Sequence, residues 1–418
     1  MLEQEHPSGS GLEVDSSAAG GMRMSLTREP EKVMPTGDEL ALVRTAFSRS
    51  PTLANRKRLV RMLLLDDQQD QVRSLLDEAA DRSFADEVAL AAAWLAAEHE
   101  HGDKLAVAAA GRALSLAQDD QARSEALALS GKAMARLGDR KGARAALEAA
   151  LALDPANKDA CKRLAAIELS EGRGDALLQL TDRLGGLGAA HARLFGARVL
   201  AHARLGNLAE AKREAGDPHF HSARELPPPP GWDDIGAFND ALAAELLTHP
   251  AMRNDRYGSA SNFTQRVEAP SRPDRPAVRA LVGQILATIH ERIAELDPAD
   301  SDWFDACPER AFLRTWCVIT DSDGFEGWHV HQFGWLSGVY YVRVPESISR
   351  GNSNAGCLAF GLPEDLAGRE GAKRYGEKLV RPQEGLMVTF PSHAYHRTYP
   401  HETGEKRICF AFDVRPLD

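Results

Sequence analysis

Two histidines two residues apart, His329 and His331, open the stretch from Trp328 to Tyr341, WHVHQFGWLSGVYY. In a β-strand, side chains at i and i+2 point to the same face, so these two imidazoles can converge on one point, which a helix with the same spacing would not allow. Two convergent imidazoles need a third ligand to hold a metal. His396, entering a later strand, supplies a candidate, and the trio His329, His331 and His396 is read as a metal site.

Other polar groups lie close by in sequence. Glu326 precedes His329 by three positions, which places it on the opposite strand face. His393 is the alternative distal ligand, although strand geometry favours His396, the residue entering the next strand. His401 reads as exposed loop. In Lys406 to Val414, Ile408, Phe410, Phe412 and Val414 share one face and Arg407, Cys409, Ala411 and Asp413 the other. The four large apolar groups are expected to pack on supporting helices. Arg407 is then aimed inward, which is costly unless an anion meets it. Tyr340 and Tyr341 lie on opposite faces of their strand, and Trp316, Phe333 and Trp335 read as core or pocket wall. His219 and His221 repeat the i, i+2 spacing in irregular sequence and read as a surface loop, and His290 as a partly exposed helix residue.

These residues must be positioned by the second half of the chain. From Phe312 onward the candidate strands are FLRTWCVIT, WLSGVYYVRV, GCLAFG, KLVRP, GLMVTFP, YHRTYP and KRICFAFDV. Two helices precede them: one over Ile235 to Leu247, the other beginning after Asp274 with Pro276 in its first turn and ending at Leu296. Leu281, Ile285, Ile289 and Ile293 form a stripe suited to packing on a sheet. Helices followed by about seven antiparallel strands predict a small barrel or jelly roll braced by helices.

The first half has a different character. Glycine turns recur at Gly102, Gly138, Gly172 and Gly206, the last three at steps of about 34 residues, the period of stacked helix pairs. The unit from Ser124 to Asn157 resembles a tetratricopeptide repeat at Leu127, Gly131, Ala143, Leu147, Ala150 and Pro155. Gly131 and Ala143 allow close helix approach and Leu147 fills the groove. The expected layout is a disordered tail over 1–36, four to five helical repeats over 37–216, a proline-rich linker over 217–230, and a β-domain bearing the histidines over 231–418. The fold class is α+β and multidomain, an all-α repeat solenoid followed by a β-domain. The repeats read either as a docking surface for a peptide, a protein or a second copy of the chain, or as a buttress.

A net charge of -11 argues against nucleic-acid binding. No apolar run approaches the length of a membrane span. The N-terminal residues lack the pattern of a secretory signal, and five scattered cysteines in no CxxC pair read as reduced thiols in a cytoplasmic protein.

Two histidines on one strand, a third on a later one and an inward arginine resemble the double-stranded β-helix oxygenases that use Fe(II) and 2-oxoglutarate. HVHQFGWLSGVYYV, GLMVTFPSHAYHRTYP and KRICFAFDV are more closely similar to a bacterial group of 2-oxoglutarate/iron oxygenases with an HxH…SGVYY…FPS…H pattern. The resemblance covers Trp232 to Asp418. It implies His329, His331 and His396 as metal ligands, Arg407 as the clamp on the distal carboxylate of 2-oxoglutarate, and Tyr340 or its neighbour Tyr341 as a co-substrate contact, with Tyr340 preferred. His331 departs from the wider superfamily, which has Asp or Glu there, and leaves the ligand set one charge more positive.

The implied activity is a dioxygenase that consumes O2 and 2-oxoglutarate, hydroxylating a C–H bond of a peptide, protein or small molecule, with the repeats as docking element. The alternatives are a three-histidine cupin-type metal enzyme without 2-oxoglutarate, which would not need Arg407, and a non-catalytic repeat scaffold.

Overall fold

The computed structural model describes residues 24–31, 34–217, 220–254, 260–296 and 301–417, and the backbone of 14–15. His219 and the rest of the 1–36 segment lie outside the described residues. Contacts divide the chain into two compact units: Met34–Ala189 forms the body of the first, while residues 24–31 and almost all that follows Ala189 belong to the second.

The first unit is entirely helical: α1 Thr36–Arg49, α2 Leu53–Leu65, α3 Gln69–Asp77, α4 Phe84–Ala96, α5 Gly102–Leu116, α6 Asp120–Arg136, α7 Arg140–Leu153, α8 Lys158–Ser170 and α9 Gly174–Gly186. Each packs chiefly on its neighbours in sequence, as helical repeats do. A β-carbon at Gly131 would lie 2.7 Å from Leu147 Cγ, so α6 and α7 approach through the glycine and the leucine fills the gap. Gly138 and Gly172 end helices with positive φ, 82° and 72°, the left-handed conformation that glycine adopts without strain. Gly102 differs: it starts α5 rather than ending α4, tucked against the Trp94 carbonyl. Ser124 donates to the Ala150 carbonyl and accepts from Asn157, which also caps α8, so one buried polar chain links three helices of the repeat.

The second unit holds β1 Val14–Asp15, β2 Ser25–Arg28, α10 Ala192–Arg204, α11 Leu208–Glu214, β3 Ser222–Glu225, α12 Ile235–Leu247, β4 Met252–Asn254, β5 Ser261–Glu268, α13 Pro276–Glu295, α14 Asp302–Asp305 and β6 Arg310–Glu326. It continues with β7 Leu336–Arg343, α15 Glu346–Ser349, β8 Leu358–Phe360, α16 Glu364–Ala367, α17 Arg369–Tyr375, β9 Lys378–Val380, β10 Leu386–Pro391, β11 His396–Thr398 and β12 Arg407–Pro416. The larger sheet runs β1-β2-β6-β12-β7-β10-β3, with β5 also on β6 and β4 on β5; the smaller is β11-β8-β9. Pairing is antiparallel throughout except β2 on β6. Tyr341, Val388, Phe390 and Cys409 of the larger sheet share a buried cluster with Leu358 and Phe360 of the smaller. The opposite face of the larger sheet meets α12, where Tyr340 donates a 2.8 Å hydrogen bond to Asn239.

Three boundaries differ from those expected. The tail over 1–36 does not extend through residues 24–31: β2 pairs with β6, and Glu29 behind it accepts from the backbone and hydroxyl of Thr315 and pairs with Arg314. The linker over 217–230 contains β3, an edge strand on β10. The repeat segment does not run to 216 as one compact body, because α10 and α11 pack into the second unit. A β-carbon at Gly196 would lie 3.3 Å from the Tyr395 ring, Arg193 bonds Gln332, and the Glu214 carbonyl accepts from His393. Among the described residues no helix is long and apolar enough to cross a membrane, and all five cysteines are free.

Candidate metal centre

His329 and His331 stand in the segment between β6 and β7 rather than within a strand. The backbone is extended there and tied to the next ligand: His329 and His396 exchange hydrogen bonds of 3.0 and 3.1 Å, and His331 N–H donates to the Ser392 carbonyl at 2.9 Å. The alternation that a strand imposes is therefore kept, and both rings face His396.

Nitrogen atoms of the three rings, one from each, all lie within 4.8 Å of one another. Each ring is fixed from behind. Nδ1 of His329 is 2.7 Å from the Gly327 carbonyl, Nδ1 of His396 is 2.9 Å from the Ala394 carbonyl, and Nδ1 of His331 is 2.6 Å from a carboxylate oxygen of Asp413. Carbonyl and carboxylate oxygens only accept, so each Nδ1 carries a proton and Nε2 is the ring nitrogen left available to a metal. Nε2 of His329 and of His331 are 3.3 Å apart. A proton or a metal ion between them can hold two ring nitrogens at that distance, and the third imidazole beside them makes the set fit a metal. Burial, reinforced by His331, pulls the His329 imidazole down to about 3, and burial likewise holds His396 well below the usual range; both rings stay neutral. The Phe390 ring, 4.7 Å from His396, and the Trp316 ring, 5.3 Å from His331, wall the cluster.

Arg407 is 1% exposed. Its guanidinium donates to the Gly356 carbonyl at 2.7 Å and to the Thr398 hydroxyl at 3.5 Å, two uncharged acceptors, and its Nε has no partner among the described residues. A buried guanidinium with a spare N–H is suited to an anion. Tyr341 lies opposite Cys409 on this inner face and feels the charge of Arg407. Tyr340 is a correction: its hydroxyl is committed to Asn239 on the helix-covered face, so it does not reach the cluster.

The remaining candidates fall outside the trio. His393 is buried with its Nε2 on the Glu214 carbonyl. His401 is not an exposed loop residue but 3% exposed, between Thr320 and Thr403. Glu326 is half-buried, close enough to feel His331 and Arg407, yet its carboxylate accepts from Ser261; desolvation holds its pKa above the ordinary range. His221 packs on Phe360 at 4.6 Å rather than in an open loop. Trp335 stacks on Trp303 at 4.6 Å in the core. Asp413 is the residue that sequence reasoning did not single out. Its place on the inner face beside Arg407 was the available signal; its partner His331 is remote in sequence.

Residues 314–413 match the family described as "Putative 2OG-Fe(II) oxygenase". The matched segment contains His329, His331, His396, Arg407 and Asp413. No curated protein matches the chain. Among solved structures, the chain is similar to a Pseudomonas putida prolyl-4-hydroxylase at 16% identity, over 53% of this chain and 100% of that one, with a TM-score of 0.34. It is similar to a 2OG-Fe(II) oxygenase-family oxidoreductase from Burkholderia pseudomallei at 13% identity, over 50% and 90%, with a TM-score of 0.31. A tetratricopeptide repeat protein from Parabacteroides merdae is similar at 15% identity, over 43% and 71%, with a TM-score of 0.34.

Proposed function

We propose that the second unit is an Fe(II)- and 2-oxoglutarate-dependent dioxygenase of double-stranded β-helix type that hydroxylates a C–H bond. The observation that carries this is the pairing of three convergent imidazoles, each fixed through Nδ1, with the buried guanidinium of Arg407. His329, His331 and His396 would hold the metal, and imidazole ligands suit Fe(II) among other divalent ions. When bound, the iron and 2-oxoglutarate supply the oxidising power, with O2 consumed and succinate and CO2 released. The chain's own residues orient and enclose. The Gly327 and Ala394 carbonyls fix the tautomers of two ligands, Arg407 would receive the distal carboxylate, and Phe390 and Trp316 would shield the bound group from water. A three-histidine enzyme without 2-oxoglutarate has no use for Arg407, whose buried guanidinium is hydrogen-bonded to uncharged acceptors.

The substrate is proposed to be a peptide or protein side chain, docked through the helical repeats, whose stacked helices build extended concave surfaces of that kind. Anaerobic addition of Fe(II) and 2-oxoglutarate tests the reading: a weak visible charge-transfer band is expected, followed by succinate formation on admitting oxygen. Arg407→Met should keep metal affinity and lose 2-oxoglutarate affinity by about 10–100-fold, the loss of a charge-assisted hydrogen-bond pair. Absence of both band and succinate in the wild type would refute it.

A further inference from the structure

The three-histidine set raises a problem of charge that Asp413 resolves. Replacing a carboxylate ligand by imidazole leaves a divalent metal with no anionic protein ligand. Asp413, on β12, reaches the same site from behind. One of its carboxylate oxygens accepts from His331 Nδ1 at 2.6 Å and from the Ser337 hydroxyl at 2.8 Å. The Ser337 hydroxyl in turn meets that of Ser392, the residue whose carbonyl receives His331 N–H. The second carboxylate oxygen accepts from Arg415 at 3.2 Å. The carboxylate is 2% exposed, and Gly334 presses on it: a β-carbon there would lie 3.3 Å from Asp413 Cγ and would collide with the Ser392 hydroxyl. The other two ligands have only neutral carbonyls behind their Nδ1 atoms. Asp413 alone brings charge, and it brings it to the one ligand that departs from the wider superfamily.

We infer that Asp413 is the carboxylate of this metal centre, moved one shell outward: a positioning residue that fixes the His331 tautomer and makes its Nε2 a more basic ligand. A hydrogen-bonded carboxylate behind a ligating imidazole raises ligand basicity, and its loss lowers metal affinity by about 10–100-fold. This rests on the metal-site reading above. It makes His331 and Asp413 one functional pair, built from segments far apart in the chain.

The experiment is Co(II) titration of the full chain, followed by its visible d–d spectrum, with Fe(II) and Zn(II) affinities measured by competition against a chelator. Asp413→Asn should weaken binding about 10–100-fold and shift the Co(II) spectrum. In a His331→Ala background, Asp413→Asn should have no further effect on affinity, because its route to the metal is already gone. Unchanged affinity and spectrum in Asp413→Asn overturns the inference. So does an equal loss in both backgrounds, which marks Asp413 as merely structural. A wild-type chain that binds none of the three ions refutes the metal site and this inference with it, whereas binding by the wild type with an indifferent Asp413→Asn refutes only the latter. Should Asp413→Asn fail to fold, Ser337→Ala, which removes one donor to the carboxylate, decides on the same readouts: a several-fold loss with a shifted spectrum supports the inference, and no change overturns it.

Discussion

The exchange of a carboxylate ligand for His331 is tied to what stands behind it. The carboxylate oxygens introduced by His331→Asp would occupy roughly the place of the present Nδ1, which lies 2.6 Å from Asp413. Two buried carboxylates at that distance cannot both ionise without a large cost. His331→Asp alone should therefore lose metal affinity, although it restores the ligand type usual in the superfamily, and His331→Asp combined with Asp413→Asn should recover it. Isothermal titration with Fe(II) under anaerobic conditions checks both. A single variant that binds as well as the double one would mean that the two groups are not coupled. The same scale shows what a sequence hides. The inward aim of Arg407 was legible from alternation along one strand, and the convergence of the histidines from spacing. Whether Tyr340 or Tyr341 faced the site was not legible, because adjacent residues on one strand are separated only by knowing which face the helices cover. Asp413 was legible as inward but not as a partner, since its meeting with His331 is made by the tertiary fold.

At the scale of elements, the seven strands from β6 to β12 that line or back the site, and helices α12 and α13, were all foreseen: most are periodic apolar runs bounded by turns, and the short β9 and β11 are marked by the turns around them. The strands not foreseen share a reason. β2 (SLTR) and β3 (SARE) are short and polar, and their place comes from backbone pairing with strands remote in sequence. In β5 the alternation is broken by Phe263, at φ 52° and fully turned to solvent, where the register with β6 shifts. Such strands are held by specific contacts, and Glu29 is the clearest. It is 6% exposed and joins β2 to Arg314 and Thr315. Glu29→Ala leaves Arg314 with Glu268 as its remaining carboxylate partner and strips the Thr315 backbone N–H of its acceptor. Breaking a buried pair costs about 3–5 kcal/mol; the retained Glu268 should keep the loss near the lower figure. Thermal melting of the wild type and the variant measures it, and a shift within error would show β2 to be dispensable.

For the whole molecule, acid should act on the two units unequally. Burial holds His221, His249 and His393 of the second unit at about 4. In the unfolded chain the same rings take up protons near about 6.5. Unfolding therefore binds protons between these values, so the stability these groups contribute is complete above about pH 6.5 and is lost as pH falls toward 4. His99 and His101 of the first unit are exposed. Melting curves from pH 7 to 4 should show the transition of the second unit descending more steeply; parallel descent would contradict this.

Because residues 24–31 belong to the sheet while residues 34–189 form the helical unit, the helices are an insertion into the chain of the second unit rather than a preceding module. A protease cutting once, on either side of the helices, would leave them tethered by the uncut junction. Only two cuts would free them, and the short peptide bearing β2 would then remain bound to the sheet as a separate chain. On a ribosome, too, β2 is made long before β6 exists to receive it, so this strand must wait for the whole helical array to be synthesised before it finds its place.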